Sequence, residues 1–250
     1  MTVADSLIII PTYNEGENIV RLLPELLRAY PHVHVLVVDD NSPDGTAQRV
    51  EALQVEYADR LFLMRRQNKQ GLGTAYIAGF RWALNRTYQF IFEMDADFSH
   101  PIRYIQDLFD ACAQQGYDVA IGSRYVKGGG VQNWPAARVL MSYYASVYVR
   151  LITWMPVQDT TAGFVCYRRY VLETIDLSRI RFVGYAFQIE MKYAAWCLGF
   201  RIKEVPIIFV DRIEGSSKMN KSIVREAALG VLRMRWQSLF RSYRNPSAPR

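Results

Sequence analysis

The first half of the chain alternates short apolar runs with amphipathic segments of helical periodicity, and this alternation constrains the fold more than any other feature. The apolar runs predict five strands, at residues 7–11, 33–38, 61–64, 90–94 and 119–122. The intervening segments predict four helices, at residues 17–30, 46–57, 74–84 and 101–115. Apolar strands that alternate with helices are typical of a parallel sheet covered on both faces. We therefore predict an α/β fold with a mostly parallel central sheet flanked by helices.

The second half of the chain has a less regular pattern. It predicts helices at residues 138–154, 187–198 and 222–242, and strands at residues 164–167 and 205–210. We expect the glycine-rich stretch 127–130 to form a flexible loop. The polar tail 245–250 is expected to be disordered.

Positive charge is concentrated at the C-terminal end. Residues 218–250 contain eight lysines and arginines and one glutamate, a surplus that exceeds the net charge of +6 for the whole chain. Such a segment can meet the phosphates of a membrane or of nucleic acid, or can simply be solvated. No segment reaches the roughly 20 apolar residues that a spanning helix needs, and we expect no transmembrane helix.

The remaining composition bounds the compartment. Three dispersed cysteines without a CxxC pair suit a reducing environment and argue against a disulfide framework or a structural zinc site. The first residues lack a basic region before their apolar run, so we predict no signal peptide.

Acidic residues follow the second and fourth predicted strands. Ligands bind beyond the carboxyl ends of parallel strands, where Asp39, Asp40, Asp95 and Asp97 are placed. Alternation along an extended segment points Asp95 and Asp97 the same way, and carboxylates suit Mg²⁺ or Mn²⁺. Such an ion could bridge a diphosphate. The alternative, a pair of turn or capping aspartates, is less favoured because of their place after an interior strand.

Other residues near the strand ends fit a nucleotide. Tyr13 offers a stacking face, and Glu15, Asp39 and Asp40 can accept hydrogen bonds from a base or ribose. Helix capping and turn formation explain the same residue types equally simply. The glycines of 71–75 resemble a phosphate-binding turn, but a tight turn at a helix start is favoured because the full glycine-rich motifs are absent.

A second group of residues fits an anion. Arg138 and Ser142 are four apart and share a helix face, and Arg124 follows the fifth strand. Arginine matches the geometry of phosphate, so these residues could join Arg212 and Lys218 in an anion site distinct from the metal. By composition alone they are surface arginines. His100 is expected to cap or line a pocket, and the tyrosine-rich helix is either a core stripe or an interfacial face.

Together these segments resemble the dolichyl- or polyprenyl-phosphate mannose synthases of glycosyltransferase family 2. The matching segments, in order, are PTYNE at 11–15, VVDDNSPDGT at 37–46, GLGTAY at 71–76, MDADFSHP at 94–101, GSRYVKGGG at 122–130, DTTAGF at 159–164, FQIEM at 187–191 and EVPIIFVDRIEGSSK at 204–218. The resemblance covers almost the whole chain, and the ordered set is far more specific than the acidic motif alone.

The resemblance implies a GT-A fold that transfers mannose, with inversion, from GDP-mannose to a polyprenyl (dolichyl-type) phosphate with Mg²⁺ or Mn²⁺ as cofactor. It implies a catalytic domain at residues 1–215, whose halves 1–125 and 126–215 bind the nucleotide-sugar and the acceptor. A basic C-terminal helix and tail would occupy residues 216–250.

The resemblance also assigns roles residue by residue. The metal and diphosphate would be held by Asp95, Asp97 and Ser99. The nucleotide-sugar would contact Pro11, Tyr13, Glu15, Asp39, Asp40, Gly71, Asp95, Ala96 and Asp97. The acceptor phosphate would contact Arg124, Arg138 and Ser142. The residues implied to be catalytic are Asp95, Asp97, Arg124, Arg212 and Lys218, the last two closing over the phosphates.

Without membrane-spanning segments, such an enzyme is expected at the cytoplasmic face of the membrane, bound peripherally or through a membrane-anchoring partner protein. Rival interpretations are a polyprenyl-phosphate glucosyltransferase that uses UDP-glucose, a family 2 enzyme with another acceptor, and a non-catalytic membrane adaptor. A nucleic-acid binder is not favoured, because the positive charge is confined to one end and no recognition motif accompanies it.

Overall fold

The computed structural model of the chain describes residue 3 and residues 5–184, 186–211 and 221–248. Its strands, in chain order, are β1 Ser6–Thr12, β2 His34–Asp39, β3 Leu61–Arg65, β4 Phe90–Glu93, β5 Val119–Ser123, β6 Gly130–Gln132, β7 Val165–Arg168, β8 Ile202–Pro206 and β9 Ile208–Val210. Its α-helices are α1 Gly16–Ala29, α2 Thr46–Gln54, α3 Leu72–Leu84, α4 Ile105–Ala113, α5 Ala136–Thr153, α6 Arg169–Thr174, α7 Ala186–Cys197 and α8 Lys221–Ser238. A short 3-10 helix, Ile102–Tyr104, precedes α4.

Seven strands form one mixed sheet in the order β3-β2-β1-β4-β7-β5-β8. Strand β7 runs antiparallel to both of its neighbours, and the other pairs are parallel. The prediction of a mostly parallel sheet flanked by helices is confirmed.

The core lies on both faces of this sheet, as the near-continuous apolar strands predict. Successive side chains of a strand point to opposite faces. Along β1, Leu7 and Ile9 therefore join one buried cluster, with residues of α3 and α7. Ile8 and Ile10 join the other, with residues of α1 and α4.

The topology brings the acidic loops to one edge of the sheet. Strand β1 pairs with β2 on one side and with β4 on the other, in parallel. The chain therefore leaves the sheet in opposite directions after β1 and after β4, which is the switch point where α/β sheets bind ligands. The loops after β1, β2 and β4 all open at this edge.

One strand predicted in the second half is wrong, and the predicted glycine-rich loop agrees with the structure except at its last residue. The predicted strand at 205–210 is split after Pro206, because proline has no N–H with which to continue a ladder. Ile207 donates its N–H to the Ser123 carbonyl, and β9 then leaves the main sheet to pair with β6. Strand β6 begins at Gly130, at the end of the stretch predicted to be a flexible loop.

The C-terminal segment is shorter as a helix and more ordered as a tail than the sequence predicts. Helix α8 ends at Ser238. Residues 243–248 fold back onto α6: Asp176 donates its N–H to the Tyr243 carbonyl at 2.8 Å, and Asn245 donates to the Thr174 carbonyl at 2.7 Å. The disorder predicted from residue 245 is therefore wrong for residues 245–248. The predicted domain boundary at 215/216 lies outside the described residues.

Among the helices that the structure describes, none combines the length and the apolar character needed to cross a bilayer.

Candidate active site

The acidic turn follows β4 at the switch edge of the sheet. The Asp95 side chain is 37% exposed and lies at a cavity wall, whereas Asp97 is buried. Ser99 donates both its N–H and its hydroxyl to Asp97 Oδ1, at 3.1 and 2.5 Å. The turn requires Phe98 to adopt a positive φ of 61°. Asp95 is therefore presented to the cavity, whereas Asp97 is buried and held by Ser99.

His100 closes the same turn. Its Nδ1 accepts a hydrogen bond from the Asp95 N–H at 3.1 Å, and its ring stacks on Phe164 with centroids 5.0 Å apart. Burial lowers the pKa of His100 to about 4. The ring is therefore neutral at pH 7 with its proton on Nε2, and it lines the pocket as the sequence interpretation favoured.

Arg124 is clamped by a buried carboxylate. Asp159, fully buried, accepts from Arg124 Nε at 2.7 Å, from Nη2 at 2.6 Å and from the backbone N–H at 2.9 Å. Nη2 also donates to the Thr161 hydroxyl at 2.8 Å. The bidentate pair fixes the plane of the guanidinium, which lines the cavity.

Arg138 and Ser142 reach the same cavity from α5. Arg138 Nη1 donates to Asp211 Oδ1 at 3.0 Å, and its guanidinium lies 4.0 Å from the centroid of the Trp134 ring. Trp134 Nε1 donates to the same carboxylate oxygen at 3.1 Å. This arginine is only partly buried, so it can exchange or share its partner with an incoming anion.

A single cavity of about 390 Å³ connects these groups. Polar residues from the acidic turn and from the arginine cluster share its wall: Asp95, Ser99, His100, Arg124, Arg138, Ser142, Thr161 and Gln188. The rest is mostly apolar, and about half of it comes from helices α5, α7 and α8, including Met141, Ala145, Tyr148, Val149, Ile189, Ala228 and Val231. The cavity thus connects two polar regions, the acidic turn after β4 and the arginine cluster of Arg124 and Arg138, with an apolar region.

The aspartates after β2 are occupied by contacts within the chain. Asp39 accepts from the Thr12 hydroxyl at 2.9 Å and from the Ser42 N–H at 2.9 Å. Asp40 lies 3.2 Å from Arg66 Nη1 and accepts from the Gln70 N–H. Both carboxylates hold the loops at this edge, as turn chemistry predicts, and their contact with a nucleoside stays a prediction.

The other predicted nucleotide contacts lie on the loop after β1 and at the start of α3. Pro11, Tyr13 and Glu15 are half-buried, and the ring of Tyr13 is covered by Lys69, whose Nζ lies 4.0 Å from the ring centroid. Gly71 has a φ of 98°, and a Cβ there would lie 2.7 Å from the Val183 carbonyl oxygen. Close approach to residue 183 is thus sufficient to explain this glycine. Ala96 is buried in the core.

The acidic turn fits a divalent cation in part. No group of three or more histidine, cysteine, aspartate or glutamate side chains with ligand geometry occurs within the described residues. Mg²⁺ is commonly held by one or two carboxylates, with substrate phosphates and water completing its shell. The exposed Asp95 carboxylate suits that mode, and Asp97, two residues later and buried, is the second carboxylate of the turn. The Ser99 hydroxyl serves Asp97, so a direct role for Ser99 as a ligand stays a prediction.

Arg212 and Lys218 lie outside the described residues, so the structure does not place them.

The sequence interpretation missed Asp159, Thr161 and Gln188. The segment DTTAGF was recognised as a motif, but nothing in its spacing reveals that Asp159 pairs with an arginine 35 positions earlier. Gln188 is part of FQIEM, also recognised without a role.

Comparison with known proteins decides the family. The family profile described as Glycosyl transferase family 2 matches residues 7–176, more than half of the chain. The chain belongs to glycosyltransferase family 2. The protein is therefore a glycosyltransferase, as the motifs indicated.

Two relatives of this family 2 glycosyltransferase are similar over nearly their full lengths. It is 48% identical over 226 residues to the polyprenol monophosphomannose synthase of Mycolicibacterium smegmatis, covering 90% of this chain and 85% of the relative. It is 45% identical over 237 residues to the undecaprenyl-phosphate mannosyltransferase of Micrococcus luteus, covering 93% and 96%. The resemblance to polyprenyl-phosphate mannose synthases is confirmed.

Solved structures share the fold at low identity. Glucosyl-3-phosphoglycerate synthase from Mycobacterium tuberculosis, solved with Mn²⁺, UDP and glucosyl-3-phosphoglycerate, aligns with a TM-score of 0.65 at 14% identity, covering 92% of this chain and 77% of that chain. A mannosyltransferase from Pyrobaculum calidifontis, solved with GDP-Man and Mn²⁺, aligns with a TM-score of 0.60 at 17% identity, covering 98% and 66%. The predicted GT-A fold is confirmed.

Proposed function

We propose that this glycosyltransferase moves mannose from GDP-mannose to the phosphate of a polyprenyl lipid, with a divalent cation at Asp95 and Asp97. The observation that supports the proposal is the shared cavity. An exposed carboxylate next to a second one lies in the same wall as two arginines and Ser142. The names of the two relatives support the sugar and the acceptor class.

The arginine cluster of Arg124 and Arg138 suits a phosphate monoester. Arg124 is fixed in orientation by Asp159, so its entropy is already lost before the ligand arrives. Arg138 and Ser142 add a second guanidinium and a hydroxyl from one face of α5. Guanidinium groups match phosphate oxygens in pairs, which supports an acceptor phosphate here.

The acidic turn that carries Asp95 and Asp97 suits the departing nucleoside diphosphate. A divalent cation, when bound there, would neutralise charge that develops on the diphosphate. The chain's own contribution is to present the Asp95 carboxylate and to fix Asp97 through Ser99. Neutral His100 holds the backbone of this turn without adding charge.

The acceptor requires no dedicated general base. A phosphate monoester has a second pKa of about 6, so its oxygen is already anionic at neutral pH. The protein must bring two anions close and align the acceptor oxygen with the anomeric carbon of the sugar. Both demands are met by fixed side chains rather than by a proton acceptor.

A lipid acceptor also needs access from a bilayer. Most of the exposed large apolar side chains among the described residues lie on or next to helices α5 and α8: Leu140, Met141, Tyr143, Tyr144, Leu151, Trp154, Leu229, Leu232, Trp236, Leu239 and Phe240. We call this set the α5–α8 face. Tyrosine and tryptophan favour the headgroup level, and Arg235 lies over the Trp154 ring at 5.0 Å. We propose that this face binds the membrane surface peripherally.

The test is transfer in vitro. The protein is incubated with radiolabelled GDP-mannose, undecaprenyl phosphate and Mn²⁺, and the lipid is extracted into organic solvent. We expect label in the organic phase with the wild-type protein and with the exposed-residue control Asp107→Asn, and only background with Asp95→Asn or with excess EDTA.

Each component of the proposal has an outcome that contradicts it. Labelled lipid that forms from radiolabelled UDP-glucose and not from GDP-mannose would contradict GDP-mannose as the donor. Labelled lipid that still forms in excess EDTA would contradict the requirement for a divalent cation. Absence of any labelled lipid with wild-type protein would overturn the acceptor class.

A further inference from the structure

One buried polar side chain in the cavity has no role in the function proposed above. Gln188, in the first turn of α7, is 2% exposed and lines the cavity that Asp95 and Arg124 share. Its Nε2 atom is buried and has no hydrogen-bond partner among the described residues. A buried amide without a partner costs free energy unless something supplies an acceptor.

The orientation of this amide is set by Lys192, one turn later on α7. Lys192 is fully buried, and its Nζ donates to the Ala162 carbonyl at 2.6 Å and to the Gln188 carbonyl at 3.0 Å. Gln188 Oε1 lies 3.5 Å from the same Nζ. Because an ammonium group has only donors, the oxygen of the amide must face Lys192. The Nε2 donors are therefore the end turned away from Lys192.

Gly163 lies next to those donors. A Cβ on Gly163 would lie 3.8 Å from Gln188 Nε2, 3.7 Å from Asp95 Oδ2 and 3.5 Å from His100 Cε1. Gly163 lines the cavity, so the amide and the exposed carboxylate of the acidic turn both border the cavity at this glycine. Two residues before Gly163, Thr161 accepts a hydrogen bond from Arg124. The segment 161–163 therefore contacts both the arginine cluster and the acidic turn.

Glu93 is a buried acidic group that interacts with this amide. Burial raises the pKa of Glu93 to about 8, while Lys192 and the Gln188 side chain lower it. Neither Glu93 carboxyl oxygen, however, meets hydrogen-bond geometry with a described residue, Gln188 included. The amide nitrogen carries two donors, so the long contact with Glu93 leaves at least one of them for a ligand.

We infer that Gln188 Nε2 donates a hydrogen bond to a hydroxyl of the transferred sugar. The inference rests on the proposed function, which places the sugar between the diphosphate at Asp95 and the acceptor phosphate at the arginines. The two phosphates are matched by cationic groups, whereas a neutral amide donor matches a neutral hydroxyl oxygen. A buried donor aimed at a substrate hydroxyl also discriminates against sugars that lack it there.

The experiment compares Gln188→Met with Met191→Leu. The first variant keeps the volume of the side chain and removes the donor. The second is a volume-conserving change on the same helix, at a core residue that does not line the cavity. Binding of GDP and of GDP-mannose, each with Mn²⁺, is measured by calorimetry, and kcat/KM for GDP-mannose is measured with undecaprenyl phosphate.

We expect Gln188→Met to bind GDP as the wild type does, and to lose about tenfold in kcat/KM for GDP-mannose, the size of one buried hydrogen bond. Met191→Leu should stay within twofold of wild type. Unchanged donor kinetics in Gln188→Met, or an equal loss of GDP binding, would overturn the inference. A lowered unfolding midpoint with unchanged donor kinetics would assign the amide to Glu93.

A second measurement needs no variant. In a crystal structure of the wild-type protein with GDP-mannose and Mn²⁺, Nε2 should lie within about 3.2 Å of a sugar hydroxyl. An amide that contacts only Glu93 there would refute its role. If the wild type makes no mannolipid, the proposed acceptor fails, and the binding comparison of GDP with GDP-mannose still decides the role of Gln188.

Discussion

At the scale of single residues, the site depends on a charge that is buried before any substrate binds. Arg124 is 8% exposed and Asp159 is fully buried, with two guanidinium contacts of 2.7 and 2.6 Å. Transfer of either charge alone from water is costly, and the pair is tolerated because each satisfies the other. The pair therefore positions Arg124 rather than adding much net stability.

Removal of one partner should be strongly destabilising. We expect Asp159→Asn to lower the free energy of unfolding by about 3–5 kcal/mol, because the Arg124 charge loses its buried partner. Guanidinium denaturation followed by tryptophan fluorescence measures this loss. The control Glu17→Gln breaks the exposed ion pair with Arg49 and should cost less than about 1 kcal/mol. Equal losses in the two variants would contradict the buried-pair argument.

Arg138 should act on the acceptor alone. Because its guanidinium lines the cavity next to Ser142, we expect Arg138→Ala to raise KM for undecaprenyl phosphate about 10- to 100-fold, the effect of one charged hydrogen bond. The Kd for GDP-mannose should be unchanged. Steady-state kinetics and calorimetry separate the two effects.

The matched control is Arg28→Ala, which removes an exposed arginine of α1. It should leave both constants unchanged. An Arg138→Ala variant with wild-type acceptor kinetics would remove this residue from the acceptor site.

At the scale of elements, helices α5 and α8 contribute both to the cavity wall and to the exposed apolar surface. Their inner sides line the cavity, and Tyr148 on α5 donates to the Ala228 carbonyl of α8 at 2.9 Å. Their outer sides carry most of the α5–α8 face, of which Met141 also lines the cavity. One pair of helices thus borders both the acceptor compartment and the surface that we propose for the membrane.

The α5–α8 face should control membrane binding. Trp236 and Phe240 are 65% and 72% exposed, and burial of such side chains contributes about 1.5–3 kcal/mol each. We expect the double variant Trp236→Ser, Phe240→Ser to bind anionic vesicles at least about tenfold more weakly in sedimentation assays. Binding by the wild-type protein alone would also make an anchoring partner unnecessary.

Val55→Ser is the control, because Val55 is 87% exposed and lies outside α5 and α8. It should bind vesicles as the wild type does. If the double variant binds vesicles as strongly as Val55→Ser or the wild type does, the α5–α8 face does not bind the membrane.

At the scale of the whole molecule, residues at the end of α8 and after it pack against α7. Tyr243 is 9% exposed, packs edge-on against Tyr193, and lies 3.4 Å from Glu190 Oε1. Ser238, the last residue of α8, contacts the Tyr193 hydroxyl at 2.7 Å. The end of the chain thus closes on α7, which also carries Gln188.

Loss of this packing should destabilise the protein. We expect Tyr243→Ala to lower the free energy of unfolding by about 3 kcal/mol, as for other buried aromatic side chains. Tyr144→Ala removes an aromatic ring that is 62% exposed, and should change stability by less than about 0.5 kcal/mol. Chemical denaturation of both variants is the measurement, and similar values for the two would show that the tail is dispensable.

The sequence by itself determined the parts of the protein that follow from local pattern. Short apolar runs rich in isoleucine and valine specified β1 and β2 as interior strands, and apolar residues at helical spacing specified α1. Placement of Asp95 after β4 was enough to predict acidic groups at the ligand-binding edge. The ordered motifs were enough to predict the family.

Only the tertiary structure decided which distant groups meet. The pairing of Arg124 with Asp159, the split of the predicted strand at Pro206, and the folding of residues 243–248 onto α6 depend on register and packing between segments far apart in the chain. The outward direction of the Gln188 amide likewise depends on a lysine whose burial no local pattern predicts. Such contacts are set by topology, and periodicity carries no information about them.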